Sequence, residues 1–202
     1  MLELDHLAVA CETLEDGREA VETALGVTLQ PGGQHARFGT HNLLLGLEDG
    51  LYLEVIAIDP AAPKPSVPRW FDLDRFDGFA RLTNWICRCD DLEAHVARQP
   101  RVGVPVDLAR GSLRWRMAVP ENGQLPFDNC HPAVMQWSSA DHPAARLTPS
   151  GCRLERLVVT HPEAKDLRDM VGPMEDARIH IEAGEAGLRA EFATPFGPRV
   201  LS

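Results

Sequence analysis

One pattern occurs three times along the chain, and that repetition restricts the fold more than any other feature. LDHLAVACETLEDGREAVETALGV predicts a strand and then a helix. Thr13 is placed to cap that helix, and Asp16 stands at its third position, as in a capping box. Leu14, Val21 and Leu25 keep helical spacing, and Gly26 is a stop. LTNWICRCDDLEAHVARQP repeats the scheme, with a strand over 82–89, Asp90 as cap, Glu93 at the third position and a break at Pro100. CRLERLVVTHPEAKDLRDMVGP does so again, with a strand over 152–159, Thr160 as cap, Pro162 in the first turn and Gly172 as stop. Strand-like segments follow each helix: 27–30, 36–47 and 51–58; then 104–109, 113–119 and 130–138; then 177–184, 187–194 and 197–202. The order is βαβββ in each case. We therefore expect one α+β domain over 1–202, built of units at 1–60, 81–139 and 150–202. A proline-rich linker over 61–80 joins the first two, and 138–151 joins the last two.

Connection rules give the geometry of a unit. A βα crossover returns strand two parallel to strand one, and two hairpins bring strand four back parallel to it as well. In the order 1-4-3-2, strand four then lies beside strand one. A single unit leaves an apolar sheet face bare, so units must pair, and two paired units enclose a cleft between curved sheets with helices outside.

The chain has 202 residues, 44% of them hydrophobic, enough to build a core. Its formal charge is −10, with no run of more than two Lys or Arg. That balance disfavours nucleic acid and anionic membranes and leaves a small molecule as the expected partner. No apolar run approaches the roughly 18 residues of a membrane span, and no basic stretch precedes an apolar run at the start. Five cysteines with no CxxC pair read as reduced thiols, and the expected location is the cytoplasm.

LDHLAVA opening a βαβββ unit, followed by GGQHARFGTHNLLL and LYLEVIAI, resembles the glyoxalase-like branch of the vicinal oxygen chelate superfamily. The resemblance is strongest over 1–60, extends over 82–139, and is architectural only over 150–202. It implies paired βαβββ units forming a cupped half-barrel around a divalent metal, held by ligands from the first and last strand of each unit. The reactions it implies are varied: isomerisation, lyase chemistry and dioxygenation. The alternative is a protein that binds or sequesters a small molecule without turnover.

His6 on strand one and Glu54 on strand four are the first candidates. If those strands are neighbours, imidazole and carboxylate lie side by side in the cup, a partial ligand set for zinc, iron, manganese or nickel. A carboxylate among LYL and VIAI must be satisfied by something. A plain His–Glu hydrogen bond, or solvent at the mouth, would also serve. Regular alternation puts Leu4, His6 and Ala8 on one face. Matching CETLED to CDDLEA puts Asn84 where His6 stands, and matching LYLEVI to AVMQWS puts Gln136 where Glu54 stands. Two neutral amides are weak additional ligands, so one divalent metal is expected to be loosely held or absent. In the loop, glycines at 32, 33 and 39 admit close approach of a ligand. His35, His41 and Asn42 beside them, with Asn84 and Gln136, are candidate substrate-binding groups, and Glu54 and His35 are the candidate catalytic pair. Trp85 and Trp137 are expected on the opposite face, under helices. The third unit has no ligand pattern and is expected to pack within the chain or to make a homodimer contact.

Overall fold

The computed structural model describes residues 1–138 and 141–202, so part of the second linker lies outside the described residues. The first unit comprises β1 (Glu3–Ala10), α1 (Leu14–Leu25), β2 (Gln30–His35), β3 (Thr40–Leu47) and β4 (Tyr52–Ile58). The second comprises β5 (Arg81–Arg88), α2 (Leu92–Arg98), β6 (Val104–Arg110), β7 (Leu113–Val119) and β8 (Ala133–Trp137). The third comprises β9 (Pro149–His161), α3 (Ala164–Val171), β10 (Ile179–Ala183), β11 (Gly187–Thr194) and β12 (Gly197–Leu201).

Capping follows local chemistry. Thr13 accepts a hydrogen bond from the Asp16 amide and donates one to the Asp16 carboxylate, and Gly26 ends α1 at φ 76°. In the second helix the cap is Asp91 rather than Asp90, because it is the Asp91 carboxylate that reaches the Ala94 amide. In the third, His161 Nδ1 takes the Glu163 amide, and Thr160 remains within β9.

In the first two units the last strand lies parallel beside the first, β1 with β4 and β5 with β8, and β1 and β5 join the units antiparallel. The result is an open, cupped sheet in the order β3-β4-β1-β5-β8-β7-β6, with β2 on β3. The third unit departs from the expected 1-4-3-2. β9 has β10 parallel on one side and β11 antiparallel on the other. With both edges taken, its first strand has no place for a fourth, and no second cup forms. β9 touches β3 at only two positions, Gly46↔Pro149 and Leu47↔Cys152. Leu154, Leu157, Val159, Leu188 and Phe192 then share one core with Leu7, Val9, Leu53, Val55 and Trp85. The third unit thus covers the outer face of the sheet. A second apolar cluster, with Ala8, Ile56, Ile86, Met117 and Met135 at its floor, lines the cup.

One departure from regular β structure positions the site. Leu4 pairs with Cys87 and His6 pairs with Ile86, so Asp5 is an extra residue in β1, a β-bulge. The bulge breaks the alternation expected of Leu4, His6 and Ala8. Leu4 joins the outer core, while His6 and Ala8 face the cup with Asp5 beside them.

Candidate active site

Asp5, fully buried, is the residue that alternation concealed. Its Oδ1 accepts from His6 Nδ1 at 2.7 Å, and its Oδ2 accepts from Trp137 Nε1 at 2.8 Å and His142 Nε2 at 3.1 Å. The Ala144 amide donates to His142 Nδ1, which places that ring's proton on Nε2. On the far side of the His6 ring, Nε2 lies 3.7 Å from Glu54 Oε2. Tyr52 stacks on the same ring with centroids 4.3 Å apart. An imidazole thus stands between two buried carboxylates.

Glu54 also accepts from Asn42 Nδ2 at 2.5 Å and faces His35 Nε2 at 4.0 Å. Asn42 Oδ1 takes the Gly33 amide at 2.7 Å and Arg110 Nη1 at 3.1 Å. The same guanidinium nitrogen is 3.4 Å from His35 Nε2. A guanidinium only donates, so His35 Nε2 accepts and its Nδ1–H points to Thr40 Oγ1 at 3.1 Å. Arg110 comes from the end of β6, across the cup, and the glycines make room for this network. A Cβ on Gly33 would stand 2.6 Å from Arg110 Cδ, and one on Gly32 would stand 2.0 Å from Asn42 Oδ1.

The charges follow from these contacts. Burial opposes a charge on His6, but the hydrogen bond to Asp5 and the field of Glu54 outweigh it and raise its pKa. Burial pushes Glu54 up, yet the facing His6 and the Asn42 amide bring it down to about 2. Asp5, likewise desolvated, is held below the usual carboxylate range by His142 and His6. His35 is desolvated with Arg110 beside it, and its pKa falls to about 4. The cup therefore holds an imidazole whose protonation is favoured by a carboxylate on either side, a second imidazole that is neutral at neutral pH, and a guanidinium.

A family model for a glyoxalase-like domain matches residues 4–172. The chain belongs to this family. Its glyoxalase-like fold is shared with a hypothetical protein from Staphylococcus aureus, at 16% identity and TM-score 0.63, over 92% of this chain and 87% of that one. Methylmalonyl-CoA epimerase from Mycobacterium tuberculosis is similar at 19% identity and TM-score 0.44, over 68% of this chain and 88% of that one. A methylmalonyl-CoA epimerase in complex with methylmalonyl-CoA and NH4+ is similar at 15% identity and TM-score 0.45, over 70% and 97%. No curated protein sequence matches the chain.

Within this glyoxalase-like cup the structure brings together His6, His35, Asn42 and Glu54. It does not bring His41 or Gln136 there. His41 pairs with Ala57 on the outer face. Gln136 faces α2, where its Oε1 accepts from the Leu92 amide and its Nε2 donates to Asp90 O. The match of LYLEVI to AVMQWS slips by three residues. Ala8 pairs with Glu54 while its counterpart Ile86 pairs with Ala133, so Ala133 holds the place of Glu54 in the second unit. The slip also moves Trp137 from the helix side into the cup, whereas Trp85 lies under the helices and donates to Cys130 O. Asn84 does occupy the place of His6, pairing with Ala8 as His6 pairs with Ile86.

This donor set does not fit a divalent metal. Among the described residues no group of three or more His, Cys, Asp or Glu side chains is placed to hold one. The second unit contributes Ala133 and a neutral amide, and the Arg110 cation lies against His35 Nε2. Sequence reasoning missed Asp5, Arg110 and His142. Only the adjacency of Asp5 to His6 carried any signal of them.

Proposed function

We propose that the chain is an enzyme that moves a proton beside the carbonyl of a small anionic metabolite, with Glu54 as base and His6 as acid. The observation that carries this reading is the buried row Asp5–His6–Glu54 facing a cavity that also contains Arg110. Arg110 would hold the substrate's carboxylate through the donors it has free. Glu54 takes the proton from the carbon next to the carbonyl. The C–H electron pair becomes the C=C bond of an enol, and the carbonyl π pair takes the proton of His6 Nε2. Once His6 has given up its charge, the influence that depresses Glu54 weakens, so donation by the acid strengthens the base. Asp5 keeps Nδ1 protonated and directs Nε2 at the reacting atoms. Return of the proton to the same carbon, with the enol proton going back to His6 Nε2, completes an exchange or, from the opposite face, an epimerisation. With a 2-hydroxy carbonyl substrate the enol is an enediol, and proton return to the former carbonyl carbon, with the other hydroxyl giving its proton to His6 Nε2, completes an isomerisation. No step requires a metal.

The cup as it stands encloses only about 30 Å³, room for about one water. Trp70 and Phe71 form part of its wall and belong to the short 3-10 segment Trp70–Arg75. Admission of a substrate requires that segment to shift.

The test is hydrogen–deuterium exchange at carbon, followed by NMR in D2O over a panel of small 2-oxo and 2-hydroxy acids and aldehydes. Exchange above the buffer rate is expected for at least one compound, falling about 10²–10⁴-fold in Glu54→Gln. Saturable binding without exchange would support sequestration instead. Exchange that survives Glu54→Gln would remove Glu54 from the mechanism.

A further inference from the structure

The second unit has a bulge of its own, related to the first by the approximate two-fold between the units. Ala8 pairs with Asn84 and Val9 pairs with Leu82, so Thr83 is the inserted residue of β5, as Asp5 is of β1. Where the first bulge presents an acid and an imidazole, the second presents a hydroxyl and a primary amide. Asn84 is fully buried, and by its pairing with Ala8 it faces the cup. Among the described residues, neither its Oδ1 nor its Nδ2 has a hydrogen-bond partner, and nor does Thr83 Oγ1. An amide carried into an apolar floor with both ends unbonded is destabilising, and such a group is retained where something else bonds it.

Thr83 lines a cavity of about 400 Å³ outside the cup, a volume suited to a small organic ligand. Phe71 lines both this cavity and the cup, so it is the side chain whose movement joins them. Phe71 and Asp72 sit in the left-handed region, at φ 57° and 58°, which side chains with a Cβ seldom adopt. The charges around the cavity are already engaged. Arg75 pairs with Asp72, Arg81 donates to the carbonyls of Asp77 and Phe79, and Asp128 faces His161. Two uncharged groups here have no hydrogen-bond partner among the described residues: the Thr83 hydroxyl on the cavity wall and, next to it in the chain, the Asn84 amide, which offers a donor and an acceptor side by side.

We propose that Thr83 and Asn84, reached through this cavity, form a second binding position at the cup floor, made of neutral groups where the first unit has its charged row, for an uncharged ligand group of carboxamide type. A carboxamide presents the complementary acceptor and donor to Asn84 in a paired, two-bond contact, and the Thr83 hydroxyl supplies a third bond. The group enters from the outer cavity past Phe71.

Fluorine NMR titration with trifluoroacetamide tests the assignment, with trifluoroacetate as the probe of equal shape and opposite charge preference. Saturable binding of trifluoroacetamide is expected, weakened about tenfold or more by Asn84→Leu and by Thr83→Val. Trifluoroacetate should show no dependence on either residue. Thr83→Val is nearly isosteric and carries the test if Asn84→Leu does not fold. Glu54→Gln should leave trifluoroacetamide binding unchanged, which separates this site from the proton-transfer reading. Non-saturable binding, wild-type affinity in Thr83→Val, or an equal loss for trifluoroacetate would overturn it.

Discussion

Glu54 sits where an aliphatic residue would be expected, and its partners explain how it remains charged there. The same burial that isolates it also sets how stability varies with pH. His35 and His131 are both desolvated to a pKa of about 4. Below about pH 6.5 the unfolded chain takes up protons that these two rings refuse until about pH 4, so stability falls as pH falls through that window. Glu54, depressed to about 2, extends the loss from the unfolded carboxylate range down to about pH 2. His6 works in the opposite sense. Its raised pKa contributes stability that is present below the unfolded value and is lost as pH rises through the folded one. His131 is fully buried outside the cup, with Nδ1 donating to Pro132 O. His131→Gln should therefore remove up to about 3 kcal/mol of the stability difference between pH 7 and pH 4. Urea unfolding at the two pH values measures it, and an unchanged difference would show that His131 is not held neutral.

Among the elements, the β2–β3 hairpin illustrates why the loop is rich in glycine. At Gly33 an added Cβ would meet the flexible end of Arg110, while at Gly32 it would also meet the backbone oxygen of Asn42 at 2.6 Å. The two positions should therefore respond differently. Gly33→Ala is expected to push Arg110 aside, reduce exchange activity about 10–100-fold, and change stability by no more than about 1 kcal/mol. Gly32→Ala should cost the fold more, on the order of 2 kcal/mol, because backbone cannot move aside as a side chain can. Paired denaturant curves and exchange rates check both. Equal stability losses would mean that the hairpin yields as a unit.

At the scale of the whole molecule, the third unit serves as a cover for the sheet. Its buried faces are continuous with the core of the first two units, so the outer face of β1 and β5 depends on it. Leu157 is fully buried in that layer. Leu157→Ala should cost about 2–5 kcal/mol in denaturant unfolding. Removal of residues 147–202 should give an aggregating chain. A soluble, folded fragment that lost ligand binding selectively would instead make the third unit part of the site.

Much of this architecture was legible in the order of residues. Hydrophobic period, caps and glycine stops are local, and they marked three βαβββ units and the 1-4-3-2 order of the first two. His6 and Glu54 were legible too, because a polar residue in an apolar strand stands out without any knowledge of its neighbours. Three things were decided only by tertiary structure. A bulge adds one residue to a strand without marking the sequence, so alternation groups Leu4 with His6 and Ala8, whereas Leu4 lies in the outer core and Asp5 stands beside His6. Register between distant strands is set by packing, so Ala133 rather than Gln136 took the place of Glu54. Arg110 reaches His35 from another unit, 75 positions along the chain, a contact that no local pattern encodes. Chain order fixes what each strand can present, and three-dimensional pairing decides which side chains meet.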